Sequence, residues 1–403
     1  IHDELSQPGT CGVGYNSLRF DDEVTRFTLW RNFYDPYARE YSRGNSRWDL
    51  IDVVRCFYAL RPDSLNWPTR PDGAPSFKLE DLTAANGLEH GAAHDAMSDV
   101  TATLALARAL RSADRALFEV LLSMRFKARV EALVDTNAMT PLVYVSGLMG
   151  TECACLGVIA PLSVHPDYKS DIICADLTRE PDFLSMTPEE IQARLFAKGD
   201  ELTSPGDRPG LMTIKVNKAP VLLPMQHISP DIAARLGLDG DRLRRNLATL
   251  RQAREDRGSE FIQHLQSVYQ GGPKATDSNP DTALYGAFVP NSDRRLIQEV
   301  QESSPAELRD RRFAFTDRRL PELLFRYRAR NWPDILTDAE RATWQEHCRE
   351  QWQSSDHLNL EDFHLALAEE RSNPNLGNKQ RAALADLERW VSENAKVLGV
   401  SGA

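Results

Sequence analysis

Apolar positions recur along this chain in two rhythms, and the switch between them divides it. The run "TCGVGYN" (10–16) reads as a short buried strand. Asp21 and Asp22 then open a helix, where acids suit the positive end of the dipole. Over 45–60, "NSRWDLIDVVRCFYAL", the residues Trp48, Ile51, Val54 and Tyr58 with Leu50, Val53 and Phe57 predict a second helix with one broad apolar face. "FKLEDLTAANG" predicts a short helix stopping at Gly87, a natural residue just past a helix end. Residues 95–112 predict a longer one, with Val100, Leu104 and Ala107 as one apolar stripe, Leu106 and Leu110 as its neighbour and Thr103 between them. A strand followed by several helices within 110 residues implies part of an α/β domain.

From about 115 to 270 the rhythm changes. "PLVYVSGL", "CLGVIAPLSV", "DIICADL", "LMTIKVN" and "APVLLPM" are short apolar runs parted by turn-rich segments, the mark of a mainly β module. Helical patches interrupt it at 187–199 and 240–256. "QGGPKATDSNPD" (270–281) reads as a linker, and 282–400 as almost wholly helical. The expected division is therefore 1–112, 115–270 and 275–400.

Composition narrows the class. The 403 residues exceed what one compact core holds, and 41% hydrophobic with 27% charged residues is an ordinary globular balance. A net charge of −11 argues weakly against a polyanion ligand, since local basic patches outweigh totals. Six cysteines form no disulfide framework, and the Cys153/Cys155 pair has no second pair at zinc-finger distance. We expect six reduced thiols and a cytoplasmic location. The chain contains no run of about 18 apolar residues. It opens on Ile1, with the turn residues Ser6, Pro8 and Gly9 close behind, so a chain lacking its original N-terminus is expected.

Candidate chemistry sits in "EHGAAHDAMSDVTATLALARAL" (89–110). Asp95 is the better helix cap, which leaves His94 outside the helix and puts Asp99 on the flank of the predicted apolar face. An unpartnered buried carboxylate costs several kcal/mol, roughly, so a cation or a hydrogen-bond cage is needed. Two readings stay open. In one, Asp95 caps, His94 is solvated and Asp99 pairs with an arginine. In the other, Asp99 joins Asp21, at the junction of a strand and a helix, in a two-metal hydrolytic site with His94 as base. Capping alone would also account for Asp21 or Asp22.

The segments "FDDEVTR", "RNFYDPYA", "NSRWDL", "YALRP", "PSFKLE", "AHDAM", "MTPLVYVSG" and "LLFRYRARN" resemble the bacterial exodeoxyribonuclease I family, part of the DEDDh group of 3′→5′ exonucleases. The resemblance spans essentially the whole chain. It implies a ribonuclease H-like α/β exonuclease domain (partial here, 1–112), an SH3-like α+β module (115–270) and an all-helical C-terminal domain (275–400). It implies degradation of single-stranded DNA to 5′-mononucleotides in DNA repair and recombination, with two Mg²⁺ held by four acids and served by one histidine. Asp21 falls on the second motif, His94 and Asp99 on the third. The first motif, an apolar strand followed by Asp-x-Glu-Thr, would precede residue 1. Without it, the chain as given is expected to bind Mg²⁺ poorly and cleave slowly or not at all. Asp176, at the end of "DIICAD", follows the third motif and has the wrong spacing to Glu180, so it is read as structural.

Substrate contacts follow from the same resemblance together with the chemistry of single-strand binding, which pairs aromatic stacking with cations along the backbone. The candidates are Arg26, Tyr37, Tyr41, Arg55, Phe77 and Lys78, with Lys215 and Lys218 from the β module. Lys78 stands where the family carries Arg and loses bidentate phosphate binding. Arg318, Arg319, Arg326, Arg328 and Arg330 either line a channel or form ion pairs on a solvated helix face. The resemblance further implies docking of the acidic tail of single-stranded DNA-binding protein, with Arg61 and Arg251 on matching basic positions; Val120, Thr140, Pro224 and Ser229 depart from that pocket. A monomer with no membrane contact is expected. The alternatives are a DEDDh ribonuclease, which the β and helical regions argue against, and an inactive single-stranded DNA-binding fragment.

Overall fold

The computed structural model describes residues 1–88, 96–197, 208–271, 279–355, 358–374 and 376–400. They divide into two compact units, one of residues 1–26 and 36–274 and the other of 27–35 and 275–403.

In the first unit, β1 (Cys11–Gly14) pairs in parallel with β2 (Ser46–Asp49), Cys11 opposite Ser46 and Gly14 opposite Asp49. Helix α1 (Asp21–Arg31) begins in this unit, and α2 (Leu50–Leu60) follows β2 directly. The helix expected from residue 45 therefore starts five residues late. Ser46–Asp49 is extended and fully buried, and Asp49 caps α2 by accepting from the Ile51 N–H at 3.0 Å. Apolar spacing could not reveal this, because Trp48 packs as a strand residue, edge-on to Phe118 at 5.2 Å.

Helices α3 (Leu79–Ala85), α4 (Ala96–Ala113) and α5 (Arg115–Ser123) complete this region. On α4 only one of the two predicted stripes is buried. Thr103, Leu106 and Leu110 are buried, whereas Val100 and Leu104 are 52% and 46% exposed. Asp99 continues the buried line one turn beyond the core and is exposed, not flanked by apolar packing.

A five-stranded antiparallel sheet of order β6-β5-β4-β3-β7 follows, from β3 (Leu142–Val145), β4 (Leu156–Val164), β5 (Asp171–Asp176), β6 (Leu211–Lys215) and β7 (Val221–Pro224). Its register slips between Pro161 and Ser163, where proline offers no N–H to the ladder. Both faces are covered, so the strands read as apolar runs without alternation. Val143, Val145, Leu156, Val221 and Leu223 share a core with Leu50, Phe57, Leu106 and Leu110. Val158, Leu162 and Ile173 pack with Phe261 and Leu265. Helices α6 (Pro188–Leu195), α7 (Gly240–Arg257) and α8 (Ser259–Ser267) flank the sheet in sequence. Asp176 accepts from Thr178 N–H and hydroxyl at 2.9 and 2.7 Å, closing the turn after β5.

The second unit is helical: α9 (Asn291–Glu302), α10 (Arg319–Asn331), α11 (Asp338–Gln353), α12 (Leu360–Ser372) and α13 (Asn378–Leu398). Residues 27–35 join it. The Trp30 indole donates to Pro280 O at 2.8 Å, and Phe33 packs 5.4 Å from Tyr327. Of the five arginines read either as channel lining or as ion pairs, four form ion pairs: Arg319 with Asp317, Arg326 and Arg330 with Asp281, Arg328 with Glu340. Among the described residues, no helix is long and apolar enough to cross a membrane.

Candidate active site

The chain reaches Asp21 through a loop that one carboxylate organises. Asp49 accepts from Asn16 N–H at 2.7 Å and Leu18 N–H at 3.1 Å, in addition to capping α2. Burial pushes this carboxyl above the usual range, although the three N–H donors favour its charged form. At the start of α1 three acids stand in succession with different fates. Asp22 is buried between Arg39 (2.7 Å) and Arg47 (2.9 Å). Glu23 pairs with Arg26 at 2.7 Å. Asp21 is exposed, and no ion pair engages it among the described residues. Its carbonyl accepts the Thr25 hydroxyl at 2.6 Å.

Asp99 repeats that arrangement in the first turn of α4. It is exposed and without an ion pair among the described residues, and its carbonyl accepts the Thr103 hydroxyl at 2.8 Å. His94 lies outside the described residues. Asp21 and Asp99 are hard oxygen donors uncommitted to protein cations, which suits a divalent ion such as Mg²⁺. The described residues gather no group of three or more His, Cys, Asp or Glu, so they do not make up a metal site by themselves.

The expected strand contacts fall into groups. The Arg26 guanidinium is buried, forked onto Glu40 at 2.7 and 2.8 Å and lying 5.3 Å over the Tyr37 ring. Tyr41 is 68% exposed. Arg55 and Phe77 come together, the guanidinium 5.6 Å from the ring centre, with Asp52 at 2.6 Å and Tyr58 edge-on to the ring. Gly147 lets Arg55 approach, since a Cβ there would meet the guanidinium at 3.1 Å. Lys78 is exposed immediately before α3.

On the β6–β7 turn, Lys215 pairs with Asp171 and Lys218 lies 3.8 Å from Glu23. Burial, then Arg26 and Arg47, push the Lys218 ammonium below its usual value, and Glu23 works the other way. Arg61 pairs with Asp114 at 2.7 Å. Arg251 donates to Ala138 O and lines a cleft of about 490 Å³ with Asn137, Met139, Arg254 and Glu255. Arg61 and Arg251 have no common partner among the described residues.

Comparison with known proteins decides the family. The chain is 42% identical over 350 residues to exodeoxyribonuclease I of Haemophilus influenzae, covering 85% of this chain and 72% of that one. It is 40% identical over 352 residues to the Escherichia coli enzyme of the same name, covering 87% and 73%. The chain belongs to the exodeoxyribonuclease I family. Family models match an exonuclease domain over 1–107, an exonuclease I SH3-like domain over 125–271 and an exonuclease I C-terminal domain over 278–394. Among solved structures, E. coli exonuclease I with a dA16 oligonucleotide superposes at TM-score 0.88 and 36% identity, covering 98% of this chain and 82% of that one. A zinc-bound E. coli complex with single-stranded DNA gives the same values. An exonuclease I complex with the SSB C-terminal peptide gives 0.86 and 36%, covering 99% and 82%.

Reading the sequence missed Asp22, Glu40, Arg39, Arg47 and Asp49. Asp49 carried a signal: an acid directly before the apolar run of α2 is a cap. That signal was hidden by starting the helix at 45. The partners of Asp22 lie 17 and 25 residues away and carry no local pattern.

Proposed function

We propose that this chain is a divalent-metal-dependent 3′→5′ exonuclease that releases 5′-mononucleotides from single-stranded DNA, with Mg²⁺ as the ion and a role in DNA repair and recombination in the cytoplasm. The observation that carries this reading is the pair Asp21 and Asp99: each is in the first turn of its helix, exposed, and without an ion pair among the described residues. Both would be ligands, and His94 the base that takes a proton from the attacking water. A bound divalent ion supplies charge neutralisation at the phosphate and a more acidic water.

The chain's own residues supply the grip on the strand. Phe77, Tyr41 and Tyr37 offer rings for bases; Arg55, Lys78, Lys215 and Lys218 offer charge to phosphates. Arg26 acts through Tyr37 and Glu40. Arg61 and Arg251 are offered to the acidic tail of single-stranded DNA-binding protein, which carries carboxylates suited to guanidinium forks.

The test is incubation of the purified chain with single-stranded oligonucleotides labelled at either end, with and without Mg²⁺, beside Asp99→Ala and His94→Ala. Slow stepwise loss from the 3′ end that requires Mg²⁺ and disappears in both variants is the expected result. Tight strand binding with no release in the wild type would favour the second reading, an inactive single-strand binder, which rests on the absence of a three-donor group among the described residues. Unchanged release in Asp99→Ala would overturn the site.

A further inference from the structure

The first half of α1 has no apolar anchor. Among residues 21–26 the buried side chains are Asp22 and Arg26, both charged, while Val24 is 53% exposed. An isolated helix of 11 residues is marginal in water. Its first turn is therefore held in place by charge and hydrogen bonds.

Those bonds form one closed cluster. Asp22 Oδ1 accepts from Arg39 Nη2 at 2.7 Å, and Oδ2 from Arg47 Nη1 at 2.9 Å. Arg47 Nε lies 3.3 Å from Glu40, which receives the fork of Arg26. Arg26 Nη1 returns to Glu23 at 2.7 Å. Three acids face three guanidiniums, with Lys218 beside Glu23. Asp22, Glu23 and Arg26 come from α1, Arg39 and Arg47 from the chain segment that leads into and forms β2. A second anchor acts upstream, where Asp49 takes the N–H groups of Asn16 and Leu18.

We propose that Asp22 and Asp49 are positioning residues for Asp21: Asp49 fixes the chain that enters α1, and Asp22, gripped by Arg39 and Arg47, fixes the rotation of the helix, leaving Asp21 as the acid of the first turn that faces solvent uncommitted. Successive helical residues point 100° apart, so locking Asp22 inward sets the direction of Asp21. The inference rests on the reading of Asp21 as a functional acid. A misplacement of about 1 Å at such a group costs roughly a hundredfold in rate.

The test takes Asp22→Asn, Asp22→Glu, Asp49→Asn and, as a milder break of the cluster, Arg47→Lys, through two measurements. Hydrogen exchange at the amides of residues 16–24 is expected to speed up at least tenfold in Asp22→Asn and Asp49→Asn, with partial recovery in Asp22→Glu. Hydrolysis of a single-stranded oligonucleotide is expected to lose at least tenfold in kcat with KM within twofold. Glu388→Gln, which breaks the exposed pair with Arg371 at 2.6 Å in the other unit, should leave both readouts unmoved. Unchanged exchange in folded Asp22→Asn, Asp49→Asn and Arg47→Lys would overturn the proposal, as would faster exchange with kcat retained. A wild type that releases no nucleotide would count against the proposed activity instead, and the exchange data would still decide the positioning.

Discussion

Among the described residues each unit holds a buried cluster of charge, and the two are built on opposite plans. In the first, Asp22, Glu23 and Glu40 meet Arg26, Arg39 and Arg47, and most members have a second partner: Arg47 reaches both Asp22 and Glu40, and Arg26 both Glu40 and Glu23. In the second, Asp281 is shared by three guanidiniums, Arg330 at 2.8 Å, Arg326 at 2.9 Å and Arg31 at 3.4 Å, of which Arg326 also reaches Glu322 at 2.9 Å. A hub loses most of its pairs with one residue, whereas a mesh shares the loss. Helix α1 supplies members to both, Asp22, Glu23 and Arg26 to one and Arg31 to the other, so the contrast can be probed from a single element.

The largest expected effect is at the hub. Asp281→Asn removes the carboxylate from two buried or half-buried guanidiniums and one exposed one, and breaking a buried pair from one side costs about 3–5 kcal/mol. Thermal unfolding followed by calorimetry should register that drop. Burial works against the charge of Asp281, but Arg326, Arg330 and Arg31 outweigh it and hold the carboxyl below its usual value of 3.8. The folded state thus binds the proton less readily than the unfolded chain. The stabilisation is complete above pH 3.8 and is lost as pH falls through the lower folded value. The variant should show a flatter stability profile across that acid window; an unchanged slope would remove Asp281 from its role as hub.

Asp22→Asn should cost less, about 1–3 kcal/mol, because the amide oxygen still accepts one guanidinium and Glu40 remains for Arg47. The same calorimetry, run on both variants and on the double variant, sharpens the comparison. Changes in two clusters with no shared partner should add within about 0.5 kcal/mol. A cost for Asp22→Asn equal to that of Asp281→Asn would show that mesh and hub are energetically alike.

Lys218 borders the mesh and should matter little to it. Lys218→Met is expected to change stability by less than about 1 kcal/mol, since its contact with Glu23 is long at 3.8 Å and partly solvated. Its effect should appear in strand binding, where losing one phosphate contact lowers the slope of log affinity against log salt by about one. Fluorescence anisotropy across a salt series reads this directly, and an unaltered slope would take Lys218 out of the strand contacts.

These two clusters also mark where the sequence stops being legible. The five strands of the β module were readable because a sheet covered on both faces shows as bare apolar runs. Gly87, with φ of 61°, stood out as the residue past a helix end. The first helix start, by contrast, was legible as acids but not as roles. Asp21, Asp22 and Glu23 look alike in sequence, and their fates are set by Arg39, Glu40 and Arg47, whose spacing to α1 depends on a loop and a strand. The α4 stripes went wrong for a related reason. Val100/Leu104 and Leu106/Leu110 are equally apolar, and only the packing of Leu106 and Leu110 against α2 and β3 chooses between them. Arginines are the hardest to read, because a cation suited to phosphate is equally suited to an aspartate elsewhere in the chain.

The smallest expected effect on stability belongs to the residue with the largest expected effect on chemistry. Asp99 is exposed and has no ion pair among the described residues; the hydrogen bond it makes to Thr103 uses its backbone carbonyl, which any residue keeps. Asp99→Asn should therefore change stability by no more than about 0.5 kcal/mol, the range for surface positions without special contacts. If the carboxylate is a ligand for the divalent ion, the same change should abolish Mg²⁺-dependent release of nucleotides while leaving strand affinity in the absence of metal intact. Asp22→Asn predicts the reverse balance, a clear loss of stability and a partial loss of rate. The two variants measured side by side separate an acid kept for the fold from an acid kept for the reaction. A loss of stability in Asp99→Asn as large as that in Asp22→Asn would erase the distinction.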